Sequence, residues 1–303
     1  MIDPKQLQAL ETVARTGTFL RAADELRISQ PAISERIRLL EEGMGYPLVV
    51  RTNPIAVTEM GQRLISYFHQ LKILEDNLLG QDPSSQKHAI RLPVAVNFDS
   101  LSSWFIEAAH LAVLENDIQI EITASNENST LNYLKNGSVL ACVSSSPHPL
   151  TGCEATYLGT CSYRCVASPK LFKRLRMNPS KITAETLQSL PAMTYGRDDD
   201  FHDSFLQSYY GIQQKGGSYI HVPFLSAMKD ALLHGWGYGL ILESAVLSEI
   251  ESGRLVDLCR HKSLEIHLYW HSVQLSNSKL AAFSKSLTQN AKKVLRQVPR
   301  TNR

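Results

Sequence analysis

Residues 19–40 have the sequence FLRAADELRISQPAISERIRLL, and this stretch decides the fold of the N-terminal part of the chain. Its first half is an amphipathic segment that Thr18 can cap, with Ala22-Ala23 and Leu26 as the apolar stripe. A new helix opens at Gln30-Pro31, because a proline in the first helical turn gives up an N–H that has no partner there. The pattern predicts two helices joined by the short turn 27–29.

The flanking sequence extends this pattern on both sides. A helix is predicted over residues 5–15, and Gly43 and Gly45 are predicted to end the helix that opens at Gln30. Residues 47–51 and 56–57 are predicted to be short strands around a turn at Asn53-Pro54, which indicates a β-wing.

A long helical pattern begins at Thr58, with apolar residues every three or four positions over about twenty residues. A short winged domain does not bury so long a helix by itself, so we expect this helix to pack on a partner in a dimer. The polar stretch Gly80–Ser85 then predicts a linker.

The rest of the chain alternates apolar strand-like runs with helical segments. Strands are predicted at 90–96, 118–122, 139–143, 157–167, 192–195, 219–222, 238–242 and 264–271. Helices are predicted at 100–114, 128–135, 201–209, 226–234 and 279–295. The βαβαβ order favours parallel sheet with helices on its faces, and the remaining ~210 residues suit two α/β lobes with a cleft between them.

The chain therefore divides into three predicted parts within an α/β protein that has an all-α winged N-terminus. These are a winged helix-turn-helix domain (1–58), a linker and dimerisation helix with hinge (59–88), and a two-lobed domain (89–303). The net charge of +2 over 303 residues does not by itself indicate a DNA-binding protein. Any such function depends on where the charges lie.

The cysteines and the N-terminal sequence indicate the cellular compartment in which the protein works. Five cysteines are an odd number, and the CxxxC spacing of Cys161 and Cys165 has no second Cys/His pair to complete a metal site. The first ten residues, MIDPKQLQAL, lack the pattern of a signal peptide, and no apolar run approaches the ~18 residues of a membrane span. We expect reduced thiols in a cytoplasmic protein, with no membrane partner, metal or cofactor.

Residues 19–40, the wing arginine Arg51 and the segment TEMGQRL (58–64) resemble the LysR-type transcriptional regulators. The likeness covers residues 5–78. It implies a winged helix-turn-helix, a dimerising linker helix and a two-lobed effector domain like the periplasmic binding proteins. It also implies a double-stranded DNA operator, a small-molecule effector and a homodimer or homotetramer as partners, with RNA polymerase as a further candidate.

A recognition helix presents its N-terminal residues to base edges in the major groove. Gln30 can pair with adenine, Pro31 can contact a thymine methyl group, and Arg51 on the wing can enter a narrow minor groove. The candidate DNA-binding residues are Thr18, Ser29, Gln30, Pro31, Ser34, Arg36, Arg38 and Arg51. The alternative is an amphipathic packing helix with a solvated basic face.

A second candidate site lies at predicted strand ends in the C-terminal part. Asp99 and Ser100 follow the first strand where a helix starts, a natural anion site beside an acid that can hold an amine. Asp99 as a simple helix cap, and Ser144 and Ser145 as ordinary turn residues, remain alternatives. The acids at 198–200 are either a solvated loop or an attraction for a cation.

Three segments sharpen this hypothesis: VAVNFDSLSSW (94–104), RDDDFHDSFL (197–206) and LYWHS (268–272). They resemble one branch of the family, the regulators of basic amino-acid export that respond to lysine or arginine. The resemblance implies a basic effector, with Asp99 and Asp199 balancing its positive charge. Ser226 stands where other members of the branch have an acidic residue, so a different, non-basic metabolite remains the alternative. The candidate effector residues are Asp99, Ser100, Trp104, Ser144, Ser145, Asp199 and Ser226.

Other classes of protein fit less well. An enzyme with Cys142 or Cys161 as nucleophile would need a paired base, and no motif supplies one. A solute-binding protein would not carry an N-terminal winged helix, and an architectural DNA-binding protein would not need an α/β sensor. The sequence predicts a regulator that is not an enzyme.

Overall fold

The computed structural model describes residues 2–79, 90–115, 118–178, 182–197, 199–212, 218–274 and 278–297. The N-terminal domain has the predicted winged helix-turn-helix layout. Its elements are α1 (Pro4–Thr16), α2 (Phe19–Leu26), α3 (Gln30–Met44), β1 (Val49–Val50), β2 (Ala56–Val57) and α4 (Glu59–Leu79).

Local capping fixes the ends of the two central helices. The Thr18 hydroxyl accepts a hydrogen bond from the Arg21 N–H at 3.2 Å, and the Ser29 hydroxyl accepts one from the Ala32 N–H at 3.3 Å. At the other end of α3, Gly45 takes the left-handed conformation with φ of +74°. Gly43 lies inside α3, so of the two glycines predicted to end this helix only Gly45 does so.

The wing is held against α3 by a side chain. Glu41 Oε1 accepts hydrogen bonds from the N–H groups of Leu48 (2.7 Å) and Val49 (3.2 Å). Gly61 lets the start of α4 approach, because a Cβ there would lie 2.4 Å from the Leu48 carbonyl oxygen. The recognition helix, the wing and α4 are therefore joined as one packed unit.

The first half of α4 is buried within its own chain. Leu64, Ile65 and Phe68 pack with Leu7 and Leu10 of α1 in one apolar cluster. The winged domain thus covers one face of the first half of this helix, and dimerisation through α4 stays a prediction. The side chains of Leu74 and Leu78 and the predicted linker lie outside the described residues.

The C-terminal part has every strand and helix that the sequence predicted, with small shifts of their ends. Its first half contains β3 (Ile90–Asn97), α5 (Phe98–Ser100), a π-helix (Leu101–Phe105), α6 (Ile106–Glu115), β4 (Ile118–Ser125), a 3₁₀ turn (Glu127–Ser129), α7 (Thr130–Lys135), β5 (Ala141–Ser144) and β6 (Cys153–Ala167). Its second half contains α8 (Pro169–Leu175), α9 (Ala184–Ser189), β7 (Ala192–Thr194), α10 (Phe201–Tyr210), β8 (Tyr219–His221), α11 (Leu225–Leu233), β9 (Tyr238–Leu242), α12 (Glu243–Glu251), β10 (Val256–Asp257), β11 (Leu264–Val273) and α13 (Ser278–Val294). Helices α8, α9 and α12 and strand β10 were not predicted.

The strands pair in the order β4-β3-β5-β11-β6-β9-β7-β8, with β10 beside β6. The neighbours β4-β3-β5 are parallel, as are β9-β7-β8, so each lobe has the predicted parallel sheet. Strands β6 and β11 pair antiparallel and run between the lobes, an arrangement that the sequence pattern did not predict. The carboxyl ends of β3 and β4 lie side by side at the edge that faces the cleft, because Asn97 pairs with Ser125.

A single large apolar cluster stabilises both lobes. It includes Val94 and Phe105 of the first lobe, Met193 and Leu240 of the second, and the fully buried Trp270 of β11. The last helix, α13, returns to pack along α6. No helix within the described ranges is long and apolar enough to cross a membrane.

Candidate functional site

The N-terminal end of α3 forms a polar surface. Ser29, Gln30 and Pro31 are exposed, while Ser34 and Arg36 are partly buried further along the helix. The oxygens of Thr18 and Ser29 accept the capping bonds described above, which leaves both hydroxyl hydrogens available to an outside acceptor such as a phosphate.

The predicted arginines differ in how free their charges are. Arg38 forms ion pairs with Glu35 at 2.6 Å and with Glu42 on its own helix, and the hydrogen bonds that its guanidinium donates to Glu35 raise the pKa of the guanidinium. Arg51 is exposed on the wing and has no carboxylate partner among the described residues. Arg38 therefore presents little net charge to a DNA backbone, whereas Arg51 presents a full one.

A cavity that opens to solvent, with about 400 Å³ of space including its open mouth, lies between the two lobes of the C-terminal part. It is lined by Asn97, Phe98, Asp99, Ser125, Asn126, Glu127, Tyr163, Tyr195, Asp199, Asp200 and Phe201. Four of these are acidic, and none of the described lining residues is a lysine, arginine or histidine. This lining favours a ligand with net positive charge.

Asp99 is the least exposed of the four acids in the lining. Asn97 caps α5, since its Oδ1 accepts from the Ser100 N–H at 2.7 Å, and Asp99 is thereby free of a capping role. Its Oδ2 accepts from the Tyr163 hydroxyl at 2.8 Å, while Oδ1 is buried with no hydrogen-bond partner among the described residues. Burial raises the pKa of Asp99 to about 6, although the hydrogen bond that Tyr163 donates opposes the rise.

Glu127 lies beside Asp99, at the start of the 3₁₀ turn that follows β4. Its Oε2 accepts a hydrogen bond from the Asn97 amide. Burial raises the pKa of Glu127 to about 7, and the neighbouring charge of Asp99 adds to the rise, while Ser145 opposes it. Two buried acids whose pKa values are raised by desolvation are suited to accept a cationic group, which would stabilise their ionised forms.

Asp199 enters the cavity from the second lobe. Its two carboxylate oxygens accept hydrogen bonds from the Tyr195 N–H at 2.7 Å and the Phe201 N–H at 2.9 Å. Burial raises its pKa against the effect of these backbone bonds. Asp199 therefore shapes the loop before α10 as well as contributing negative charge.

Aromatic rings form the walls. The Tyr163 ring stands edge-on to Phe201 with centroids 4.8 Å apart, and Tyr195 is buried with a hydroxyl that has no hydrogen-bond partner among the described residues. Phe98 of the first lobe meets Phe224 of the second at 5.8 Å. The walls thus combine apolar surface with unpaired polar atoms, as ligand pockets do.

The structure brings Asp99 and Asp199 to the cavity, as predicted, but places the other predicted effector residues outside its lining. Ser100 is buried and its N–H is taken by Asn97, while Trp104 lies in the apolar core because the π-helix turns it inward. Ser144 accepts from the Ser146 N–H within a turn, and Ser145 is a neighbour of Glu127. Ser226 is exposed on α11.

Sequence reasoning missed Glu127, Tyr163 and Tyr195. A signal for Glu127 was present, because Asn126-Glu127 follow β4 as Phe98-Asp99 follow β3, and parallel neighbours end at one edge. Ending the predicted strand at Ile122 hid this. No comparable signal pointed to Tyr163, whose role depends on how β6 passes between the lobes.

Two family descriptions match the chain. Residues 4–62 match the bacterial regulatory helix-turn-helix proteins of the lysR family, and residues 109–292 match the LysR substrate-binding domain.

Individual proteins resemble nearly the whole chain. The transcriptional regulator ArgP of Vibrio cholerae is 32% identical over 98% of this chain and 99% of its own length. ArgP of Proteus mirabilis is 34% identical over 97% and 98%. Among solved structures, ArgP from Mycobacterium tuberculosis has a TM-score of 0.82 at 28% identity, covering 98% of this chain and 100% of that one. Full-length LysG of Corynebacterium glutamicum with its bound effector arginine has a TM-score of 0.71 at 28% identity, covering 97% and 99%.

Proposed function

The chain belongs to the LysR family of bacterial transcriptional regulators, in the branch of ArgP and LysG, and on that premise we propose that lysine or arginine is the effector that controls it. The observation that carries the proposal is the lining of the cavity between the lobes. Four carboxylates face it without a compensating positive side chain among the described residues. The effector arginine in LysG supports the same class of ligand.

A basic amino acid carries two cationic groups and one carboxylate, and the cavity has partners for each. We assign the cationic groups to Asp99 and Glu127, since no lysine, arginine or histidine is among the described residues that line the cavity with them. The backbone N–H groups of Phe98 and Asp99 stand in the first turn of a helix, where they have no intrahelical partner, and can hold the carboxylate. Neutral and acidic amino acids would leave desolvated carboxylates unpaired and should bind poorly.

Calorimetry of the full-length protein with lysine, arginine, leucine and glutamate tests this. In the variant Glu127→Gln we expect roughly ten- to a hundredfold weaker binding of lysine or arginine, since a hydrogen bond to a charged group is lost. Glu115→Gln, the same change on the exposed end of α6, is the matched control and should bind as wild type does. Leucine binding as tightly as lysine would contradict the proposal and favour a non-basic metabolite.

In the N-terminal part we propose that α3 enters the major groove of an operator with Gln30 and Pro31 at base edges. Thr18, Ser29, Ser34 and Arg36 would contact the backbone, and Arg51 the minor groove beside it. Arg38 would contribute only if Glu35 and Glu42 release it. The three predicted parts, 1–58, 59–88 and 89–303, then serve DNA binding, dimerisation and effector binding.

We further propose that the protein acts in the cytoplasm as a homodimer or homotetramer, is not an enzyme, and has RNA polymerase as a partner. For dimerisation through α4, the 44% exposed Tyr67 is the sharpest probe, because it lies away from the helix face that packs on α1. Tyr67→Glu should yield monomers in light scattering while the winged domain stays folded. An unchanged dimer would place the interface elsewhere.

A further inference from the structure

The segment that carries Glu127 reaches from the effector cavity to helix α4. The 3₁₀ turn begun by Glu127 continues directly into α7, and the Thr130 hydroxyl donates to the Glu127 carbonyl at 3.2 Å. Thr130 is fully buried, and Leu134 packs with Ala95 and Cys142 of the sheet. Residues 127–135 are therefore one tied unit.

The far end of this unit is a tight turn that rests on α4. The Gly137 N–H donates to the Leu134 carbonyl at 3.1 Å, and Ser138 Oγ lies 3.4 Å from Gln62 Oε1 of α4. Gly137 has a φ of +75°, and a Cβ there would lie 2.3 Å from the Cβ of Ser66. The backbone of the turn is in such close contact with α4 that a movement of the turn toward α4 must displace the helix.

Beyond this contact, α4 is continuous with the DNA-binding domain. Its opposite face packs on α1 through Leu64 and Phe68, and its start touches the wing at Gly61. A second contact between the same halves is polar: Arg91 of β3 pairs with Glu121 at 2.8 Å and approaches Glu11 of α1 at 3.9 Å. The two contacts thus differ in kind: one is close packing at Gly137 and the other is an ion pair of the half-exposed Arg91.

We propose that the turn 136–138 is the contact through which an effector in the cavity shifts α4 and, with it, the winged domain. The inference rests on the proposed effector function. A cation can reach Glu127 at Oε1, which has no hydrogen-bond partner among the described residues, while Oε2 accepts from the Asn97 amide. The tied segment then passes any movement of Glu127 to Gly137. Two binding sites are coupled when both influence the position of one structural element, here the turn 136–138 with α4. The effector then changes the affinity for operator by the same factor as the operator changes the affinity for effector.

Hydrogen exchange of the full-length protein with and without saturating lysine or arginine tests the proposal. In wild type, exchange should change both at residues 127–138 and in α4 at residues 59–69. Gly137→Asn keeps a residue that tolerates the left-handed conformation but adds a side chain against Ser66. We expect this variant to bind effector within about threefold of wild type yet to lose the change in α4 and the effect of effector on operator affinity.

Gly152→Asn is the matched control, since Gly152 has a φ of +78° and open space around it. It should behave as wild type. Gln62→Ala, which only deletes a contact, serves if Gly137→Asn does not fold, and it should weaken the response of α4. A full α4 response in these variants, or none in a wild type that binds effector, overturns the inference. Failure of both amino acids to bind is a different result: it contradicts the proposed effector, and the inference falls with it.

Discussion

The Tyr163 hydroxyl donates a 2.8 Å hydrogen bond to Asp99 Oδ2, and the same ring stands edge-on to Phe201 at 4.8 Å. Asp99 belongs to the first lobe, Phe201 to the second, and Tyr163 to β6, the strand that runs between them. One buried tyrosine thus fixes Asp99, the least exposed acid of the cavity, relative to the opposite wall.

Removing this hydroxyl in Tyr163→Phe should weaken binding of lysine or arginine about tenfold at pH 7. The bond stabilises the ionised form of Asp99, so its loss raises the pKa of that carboxyl further and leaves fewer molecules ready for a cation. Calorimetry measures the loss. Tyr209→Phe is the control. It removes a hydroxyl outside the cavity, which donates a 2.8 Å hydrogen bond to the Ser263 carbonyl, and this variant should bind lysine and arginine as wild type does. Equal affinities in the two variants would contradict the role of Tyr163.

Effector binding should strengthen as pH rises. The pKa of Asp99 is raised to about 6 and that of Glu127 to about 7, so both carboxyl groups are largely protonated at pH 5.5 and largely ionised at pH 8. A cation requires the ionised forms, and affinity for lysine should increase roughly ten- to a hundredfold over that range. Binding near pH 6.5 should also release protons, which calorimetry detects as different heats in phosphate and imidazole buffers, because the two buffers take up protons with different enthalpies.

The stability of the fold should change with pH in the opposite direction to effector affinity. A carboxyl group whose folded pKa is raised stabilises the fold below its unfolded pKa, near 4, and this contribution is lost as pH rises through 6 to 7. The unliganded protein should therefore gain more thermal stability from lysine at pH 7.5 than at pH 5.5. In Glu127→Gln the stabilisation by lysine should depend less on pH, because Asp99 is then the one acid of the pair that still titrates. Affinity that is flat or falling with pH would refute this account.

Local sequence signals predicted much of the fold, because they act through neighbouring residues. Thr18 and Ser29 cap the helices where expected, and the strand periodicity gave both parallel lobes. The periodicity of the sequence predicted β6 and β11 as strands, but a local pattern does not indicate which strands they pair with. Their pairing is set by which edges remain free once the lobes form.

The candidate site was less predictable for the same reason. Asp99 and Asp199 could be found because each follows a strand, but the engagement of Asp199 with the Tyr195 and Phe201 N–H groups depends on loop geometry. Arg38 looked like a free cation in the sequence, yet Glu35 and Glu42 at helical spacing neutralise it. Spacing alone did not decide whether such neighbours pair with each other or with DNA.

Gln30→Ala should weaken binding to the specific operator by about 1–3 kcal/mol and leave binding to random DNA nearly unchanged. Gln30 is exposed at the first position of α3, and the Ser29 cap at 3.3 Å does not depend on its side chain. Fluorescence anisotropy with both DNAs measures the difference. Gln207→Ala, on the exposed face of α10, is the control. Equal losses on both DNAs would reassign Gln30 to backbone contact.

Arg51→Ala should lower affinity for operator and random DNA alike and reduce the slope of log K against log salt by about one. Arg51 is exposed without a described carboxylate partner, so a phosphate-rich groove gains its whole charge and releases a counterion. Arg38→Ala is the informative comparison, because Glu35 and Glu42 already compensate that guanidinium on its own helix. Its slope should stay near that of wild type. If the salt slope falls equally in the two variants, DNA displaces those carboxylates and Arg38 contacts the DNA backbone after all. An unchanged salt slope in Arg51→Ala would show that the wing arginine does not contact DNA.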